Sequence, residues 1–73
     1  MSILDAYASG KIVIAANIGG IPEMVVDGET GFLFESGNVD ELARRLAKVS
    51  SLPDETIAQM GVRARLRIPD ILH

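Results

Sequence analysis

The residues best placed to do chemistry lie in two short stretches. Gly19-Gly20 follows an apolar run and precedes Ile21-Pro22-Glu23. Backbone without side chains there can approach a ligand closely, beside the amides of a helix that starts near Ile21, an arrangement that favours an anion. A plain turn accounts for the same two glycines. Near the N-terminus, Ser2 and Asp5 stand at the spacing of a capping box, with Asp in place of the usual Glu or Gln. The phosphate-cradling patterns GxxxxGK[ST] and GxGxxG are absent. There is no cysteine, and the single histidine is His73, so a disulfide and a Cys/His zinc site are excluded. No metal and no resident cofactor are expected.

The elements that must position these groups follow from hydrophobic spacing. Ser2 to Ser9 reads as a helix stopped by Gly10. Lys11 to Ala16 is a run of branched and small residues with no polar alternation, which predicts a strand buried on both faces. A short helix over Ile21 to Val26 carries Pro22 in its first turn. Asp27-Gly28-Glu29-Thr30-Gly31 is a turn, with Gly28 and Gly31 free to take positive φ. Gly31 to Phe34 is a second strand, and the spacing between the strands suits a parallel crossover through a short helix.

Asn38 to Ser50 is amphipathic, with Val39, Leu42, Ala43, Leu46 and Val49 on one face and Asn38 and Glu41 as a capping box. Asp40–Arg44 and Glu41–Arg45 are i,i+4 pairs in the favourable order. The last helix starts between Ser51 and Asp54, buries Ile57, Met60, Ala64 and Ile68, and is expected to end before Pro69. Arg63, Arg65 and Arg67 diverge around it and read as solvated. The order is α-β-short α-β-α-α.

The balance of 10 acidic against 7 basic residues, net −3, gives no electrostatic footprint for nucleic acid. The longest mostly apolar run, residues 12 to 18, is short of the ~20 residues of a membrane span. No signal-peptide pattern opens the chain, and a cytoplasmic location is expected. Seventy-three residues, 48% apolar and with only three aromatics, make one small unit at most. Two strands with no polar face need covering helices and neighbouring strands on both edges. The fold class read from the sequence is therefore α/β, a fragment of a doubly wound parallel sheet. In such folds ligands bind beyond the carboxyl ends of the strands.

The run from Leu4 to Leu46 resembles the nucleotide-sugar-binding domain of glycosyltransferase family 4 (group 1 glycosyltransferases). The resemblance rests on Asp5-Ala6, Gly10, Val13, Gly19-Gly20, Glu23, Asp27-Gly28, Thr30-Gly31 and Leu33, in order and spacing. Residues 53 to 65 resemble the family's next helix, so coverage is about residues 2 to 65, and residues 1–73 are expected to be one partial domain. The resemblance implies the GT-B fold, with two Rossmann-like domains, of which this is the C-terminal part of the donor-binding one. After Arg65 the sequence departs from the family, which continues into an aromatic-containing crossover.

The resemblance also implies roles. Asp5 stands where the family has a glutamate that hydrogen-bonds the donor ribose; its competing role is to cap its own helix. The amides of Ser2, Ile3 and Leu4 correspond to the helix end that faces the diphosphate, where the helix dipole favours negative charge. Gly19, Gly20 and Glu23 fall in the donor-side loop, Glu23 being equally suited to the first turn of a helix. Tyr7 stands where the family often has Met, as core or cleft wall. The family's donor-sugar glutamate and its diphosphate-binding Arg and Lys would fall ahead of Met1, so no catalytic residue is assigned.

The function implied is part of a retaining enzyme that moves a glycosyl group from a nucleotide sugar to an acceptor hydroxyl, the chain alone being inactive. The alternative is a non-catalytic scaffold that self-associates through exposed sheet edges. The expected partners are accordingly a nucleotide-sugar donor in the intact enzyme and the remainder of that enzyme, or a second copy.

Overall fold

The computed structural model describes residues 3–72, in the order α1 (Ile3–Ala8), β1 (Val13–Ala16), α2 (Ile21–Met24), β2 (Gly31–Phe34), α3 (Val39–Ser51) and α4 (Asp54–Leu72). The predicted α/β architecture and element order are present. The capping pair of Ser2 with Asp5 and the chain end at His73 lie outside the described residues. Helix α1 stops at Gly10, whose φ of 72° is open to glycine at little cost. The amide of Lys11 then donates to the Ala6 carbonyl, so β1 begins only at Val13 rather than at Lys11. The strand's residues are half-buried rather than covered on both faces.

The two strands pair in parallel, with Val13 opposite Gly31 and Ala16 opposite Phe34. The amide of Asn17 donates to the Phe34 carbonyl. Residues 13, 15 and 17 therefore turn their polar groups toward β2, and residues 12, 14 and 16 turn theirs away. The outer edge of β2 is not open, as the sequence had suggested, because the chain's own groups cover it. The Gly31 carbonyl accepts from the Gly28 amide, the Leu33 amide donates to Asp27 Oδ1 at 2.9 Å, and the Leu33 carbonyl accepts from Arg45 Nε at 3.1 Å. Gly31 is glycine for space and not for a positive φ: a Cβ there would collide with the Val13 carbonyl oxygen. Gly28, at φ 81°, does supply the positive φ of the turn.

The core is centred on Tyr7, Val25 and Ala64, with Ile3, Val13, Ile21, Leu33, Ile68 and Ile71 packed around it. Tyr7 is fully buried. Its hydroxyl donates to the Met24 carbonyl at 2.7 Å and lies 2.8 Å from Thr30 Oγ1. A carbonyl only accepts, so the phenolic proton goes to Met24 and Thr30 must donate to Tyr7. Thr30 Oγ1 in turn accepts the Val26 amide at 2.9 Å. One buried chain of hydrogen bonds thus ties α1, the end of α2 and the turn before β2.

Helix α4 does not end before Pro69 but runs through it to Leu72. Proline withdraws its N–H from the Arg65 carbonyl and presses its ring against that same carbonyl. The packing of Ile68 and Ile71 on the core holds the last turn despite that loss. Helix α3 is capped as its sequence predicts on one side only: Asn38 Oδ1 accepts the Glu41 amide at 2.9 Å. The Glu41 carboxylate reaches back to the Glu35 amide instead of closing the reciprocal bond. No residue of α3 is fully buried, and Val39 and Leu46 are 74% and 52% exposed. Its apolar stripe is therefore only half used.

Candidate functional site

Ile3 and Leu4, at the start of α1, are half-buried, and Asp5 is exposed in the first turn. Ser2 lies outside the described residues. Ile3 reaches the core and also lines an apolar groove of about 320 Å³ with Ala6, residues 12 to 15 of the β1 segment, and Ile21. The first residue of α1 and the first of α2 thus meet beside β1. The loop 17–20 leaves the carboxyl end of the same strand.

That loop is tightly wound. The Ile18 amide donates to the Ala16 carbonyl, and the Ile21 amide to the Ile18 carbonyl. The Glu23 amide donates to the Gly20 carbonyl, and Pro22 has none to offer. The amides at the start of α2 are therefore occupied within the loop, and they do not form the free anion-binding set that the sequence suggested. Gly19 needs to be glycine for its φ of 55°. Gly20 has an ordinary φ of −84°, and a Cβ there would meet nothing within 4 Å. No packing within the described residues requires glycine at position 20.

Glu23 is exposed in the first turn of α2, as an acid there should be. Gly20, Glu23 and Met24 line an open groove of about 470 Å³ that Asp70 and Ile71 of α4 close on the far side. Asp5 lines neither this groove nor the one at Ile3. Gly20 and Glu23 thus share one groove, while Ile3 lies in the other.

Sequence reasoning missed Arg67. Its guanidinium donates to the Glu23 carbonyl, while its Nε is buried without a partner among the described residues. It lies half-buried in a third groove, of about 290 Å³, with Arg63, Glu29 and Asp70. The signal was its position seven residues after Met60, on the buried stripe, which the charge of the side chain masked. Arg63 and Arg65 are exposed, as expected.

Among the described residues, no group of three or more His, Asp or Glu side chains is placed to hold a metal ion. Also among them, no helix is long and apolar enough to cross a membrane. What the geometry provides is the exposed Glu23 carboxylate beside a loop whose amides and carbonyls largely bond one another, and a separate apolar groove at Ile3.

Comparison with known proteins agrees with the resemblance. The family described as glycosyl transferases group 1 matches residues 1–67. The chain is 44% identical over 61 residues to the D-inositol 3-phosphate glycosyltransferase of Corynebacterium diphtheriae, covering 84% of this chain and 14% of that protein. It is 39% identical over 66 residues to the alpha-1,3/1,6-mannosyltransferase alg-2 of Neurospora crassa, covering 89% and 14%. It is 39% identical over 64 residues to the N-acetyl-alpha-D-glucosaminyl L-malate synthase of Bacillus anthracis, covering 86% and 16%. The chain spans about one seventh of the length of these relatives. With the parallel βαβ unit, the D-G-x-T-G turn locked by Thr30, and a family match over nearly all of its length, the chain belongs to the group 1 glycosyltransferases.

Proposed function

We propose that these residues form the carboxyl-proximal half of a nucleotide-sugar-binding domain. The parent reaction would be retaining transfer of a glycosyl group from a nucleotide sugar to an acceptor hydroxyl. The observation that carries this reading is the family match over residues 1–67, on a parallel βαβ unit of the matching kind. In this reading Asp5 hydrogen-bonds the donor ribose, and the amides of Ser2, Ile3 and Leu4 face the diphosphate. The loop of Gly19, Gly20 and Glu23 borders the donor. The contribution is positioning and charge stabilisation of the departing diphosphate, without a resident metal. In this reading the chain is one partial domain that acts in the cytoplasm and depends on the remainder of the enzyme for activity.

The test is a chimera in which residues 4–46 replace the matching segment of the C. diphtheriae relative. The chimera should bind its nucleotide-sugar donor, and Asp5→Ala within it should weaken binding by about tenfold, near the ~1.5 kcal/mol of a charged hydrogen bond. Donor affinity unchanged by Asp5→Ala would refute the ribose assignment.

A further inference from the structure

Asp27-Gly28 is the single Asp-Gly pair in the sequence, and there is no Asn-Gly. This dipeptide has a chemistry of its own. The Gly28 amide nitrogen, once its proton has passed to solvent, can attack the Asp27 carboxyl carbon. The new N–C bond closes a five-membered succinimide, and the carboxyl's hydroxyl oxygen leaves as water. Water then adds back at either ring carbonyl. Opening at one restores aspartate, and opening at the other gives isoaspartate, whose backbone runs through the side-chain carbon. The net change is an isomerisation, with water released and then taken up and no other reagent consumed. Glycine favours it because no Cβ shields the attacking nitrogen.

The turn before β2 both offers this reaction and restrains it. Asp27 and Gly28 are exposed, and no group beyond its chain neighbours lies within 4 Å of where a Gly28 Cβ would stand. Yet each reacting group is engaged elsewhere. The Gly28 amide donates to the Gly31 carbonyl at 2.8 Å, and Asp27 Oδ1 accepts the Leu33 amide at 2.9 Å. Asp27 also bridges to Gly31 in parallel register. Thr30 closes the turn on Val26: its amide donates to the Val26 carbonyl at 3.0 Å, and its hydroxyl accepts the Val26 amide at 2.9 Å.

We infer that Asp27-Gly28 is a spontaneous modification site gated by the fold: isoaspartate forms there only when the turn opens, and once formed it keeps the β2 edge from closing again. The added backbone carbon displaces the Gly28 amide from the Gly31 carbonyl. The carboxylate, now on a shorter stem, is drawn back from the Leu33 amide. Opening is a local equilibrium, so the rate follows the open fraction. Two hydrogen bonds that must break first set that fraction at about one in thirty. Every group involved lies within residues 26 to 33 and is bonded there, so the inference is independent of the donor reading, which the chimera tests separately.

The experiment incubates the 73-residue chain beside the free peptide of residues 25 to 32 at neutral pH. Isoaspartate is counted with an isoaspartate-specific methyltransferase and located by fragmentation mass spectrometry. The chain should react about thirtyfold more slowly than the peptide, and at residue 27. Thr30→Val strips the Val26 amide of its acceptor and should bring the rate severalfold closer to the peptide's, whether it loosens the turn or unfolds the chain. Asp27→Glu, whose ring would need six members, should show no modification at residue 27. The purified isoaspartate form should unfold at a lower urea concentration than the unmodified chain. The proposal is overturned by a chain that reacts as fast as the peptide, by isoaspartate that accumulates first at another aspartate, or by a Thr30→Val rate equal to the unmodified chain's. An isoaspartate form with an unchanged urea midpoint also overturns it.

Discussion

Replacing Tyr7 by Phe removes one oxygen atom and isolates two others. The Met24 carbonyl loses its 2.7 Å donor, and the Thr30 hydroxyl loses its acceptor at 2.8 Å. Two neutral hydrogen bonds at about 1 kcal/mol each, one buried and one part-buried, with their partners left unsatisfied, give about 2–3 kcal/mol. A chain of this length has a total stability of roughly 4–11 kcal/mol, so the loss is a large fraction of it. At a urea m-value near ~1 kcal/mol/M, the midpoint should fall by about 2–3 M at fixed protein concentration. Thr30→Val should cost a similar amount, since it also strands the Val26 amide. The double variant should cost about 1 kcal/mol less than the sum, because the shared Tyr7–Thr30 bond is lost only once. A Tyr7→Phe penalty below about 0.5 kcal/mol, or strict additivity, would refute the hydrogen-bond chain as the tie between α1 and the β2 turn.

Other perturbations probe the remaining joints. Gly31→Ala should cost about 3 kcal/mol or more, read as a lowered urea midpoint, because its methyl group collides with backbone at Val13 rather than with a movable side chain. Gly61→Ala should cost less, about 1 kcal/mol by the same measurement, since its Cβ would sit 3.1 Å from the Gly10 carbonyl oxygen. Pro69→Ala should stabilise the chain by about 1 kcal/mol and deepen the 222 nm signal, by restoring an N–H toward the Arg65 carbonyl. Asp27→Ala should leave the Leu33 amide without its acceptor and cost about 1 kcal/mol, read as a lowered urea midpoint.

Helix and strand identities were legible because their signals are local. Gly10, Asn38 and the run at residues 12 to 16 each state their element without reference to anything distant. The parallel crossover was legible from spacing for the same reason. What escaped was set by tertiary contact. Pro69 reads as a stop until Ile68 and Ile71 are seen against the core. Gly31 reads as a turn glycine until the Val13 carbonyl is placed beside it. Arg45 reads as one half of an i,i+4 ion pair, yet its Nε caps the Leu33 carbonyl. Arg67 reads as surface, yet it holds the end of α2. At the candidate site, the glycines and Glu23 were visible as residue types. Which amides the loop had already used could be learned only from its hydrogen bonds.

On the proposed reading, residues 4–46 supply one part of the donor-binding surface of a retaining glycosyltransferase, and product formation by the chimera with the C. diphtheriae relative tests this most directly. Supplied with that enzyme's nucleotide sugar and acceptor, the chimera should form a glycoside whose anomeric proton, followed by NMR, keeps the donor's configuration. A folded chimera that makes no product, or makes one with inverted configuration, would contradict the account.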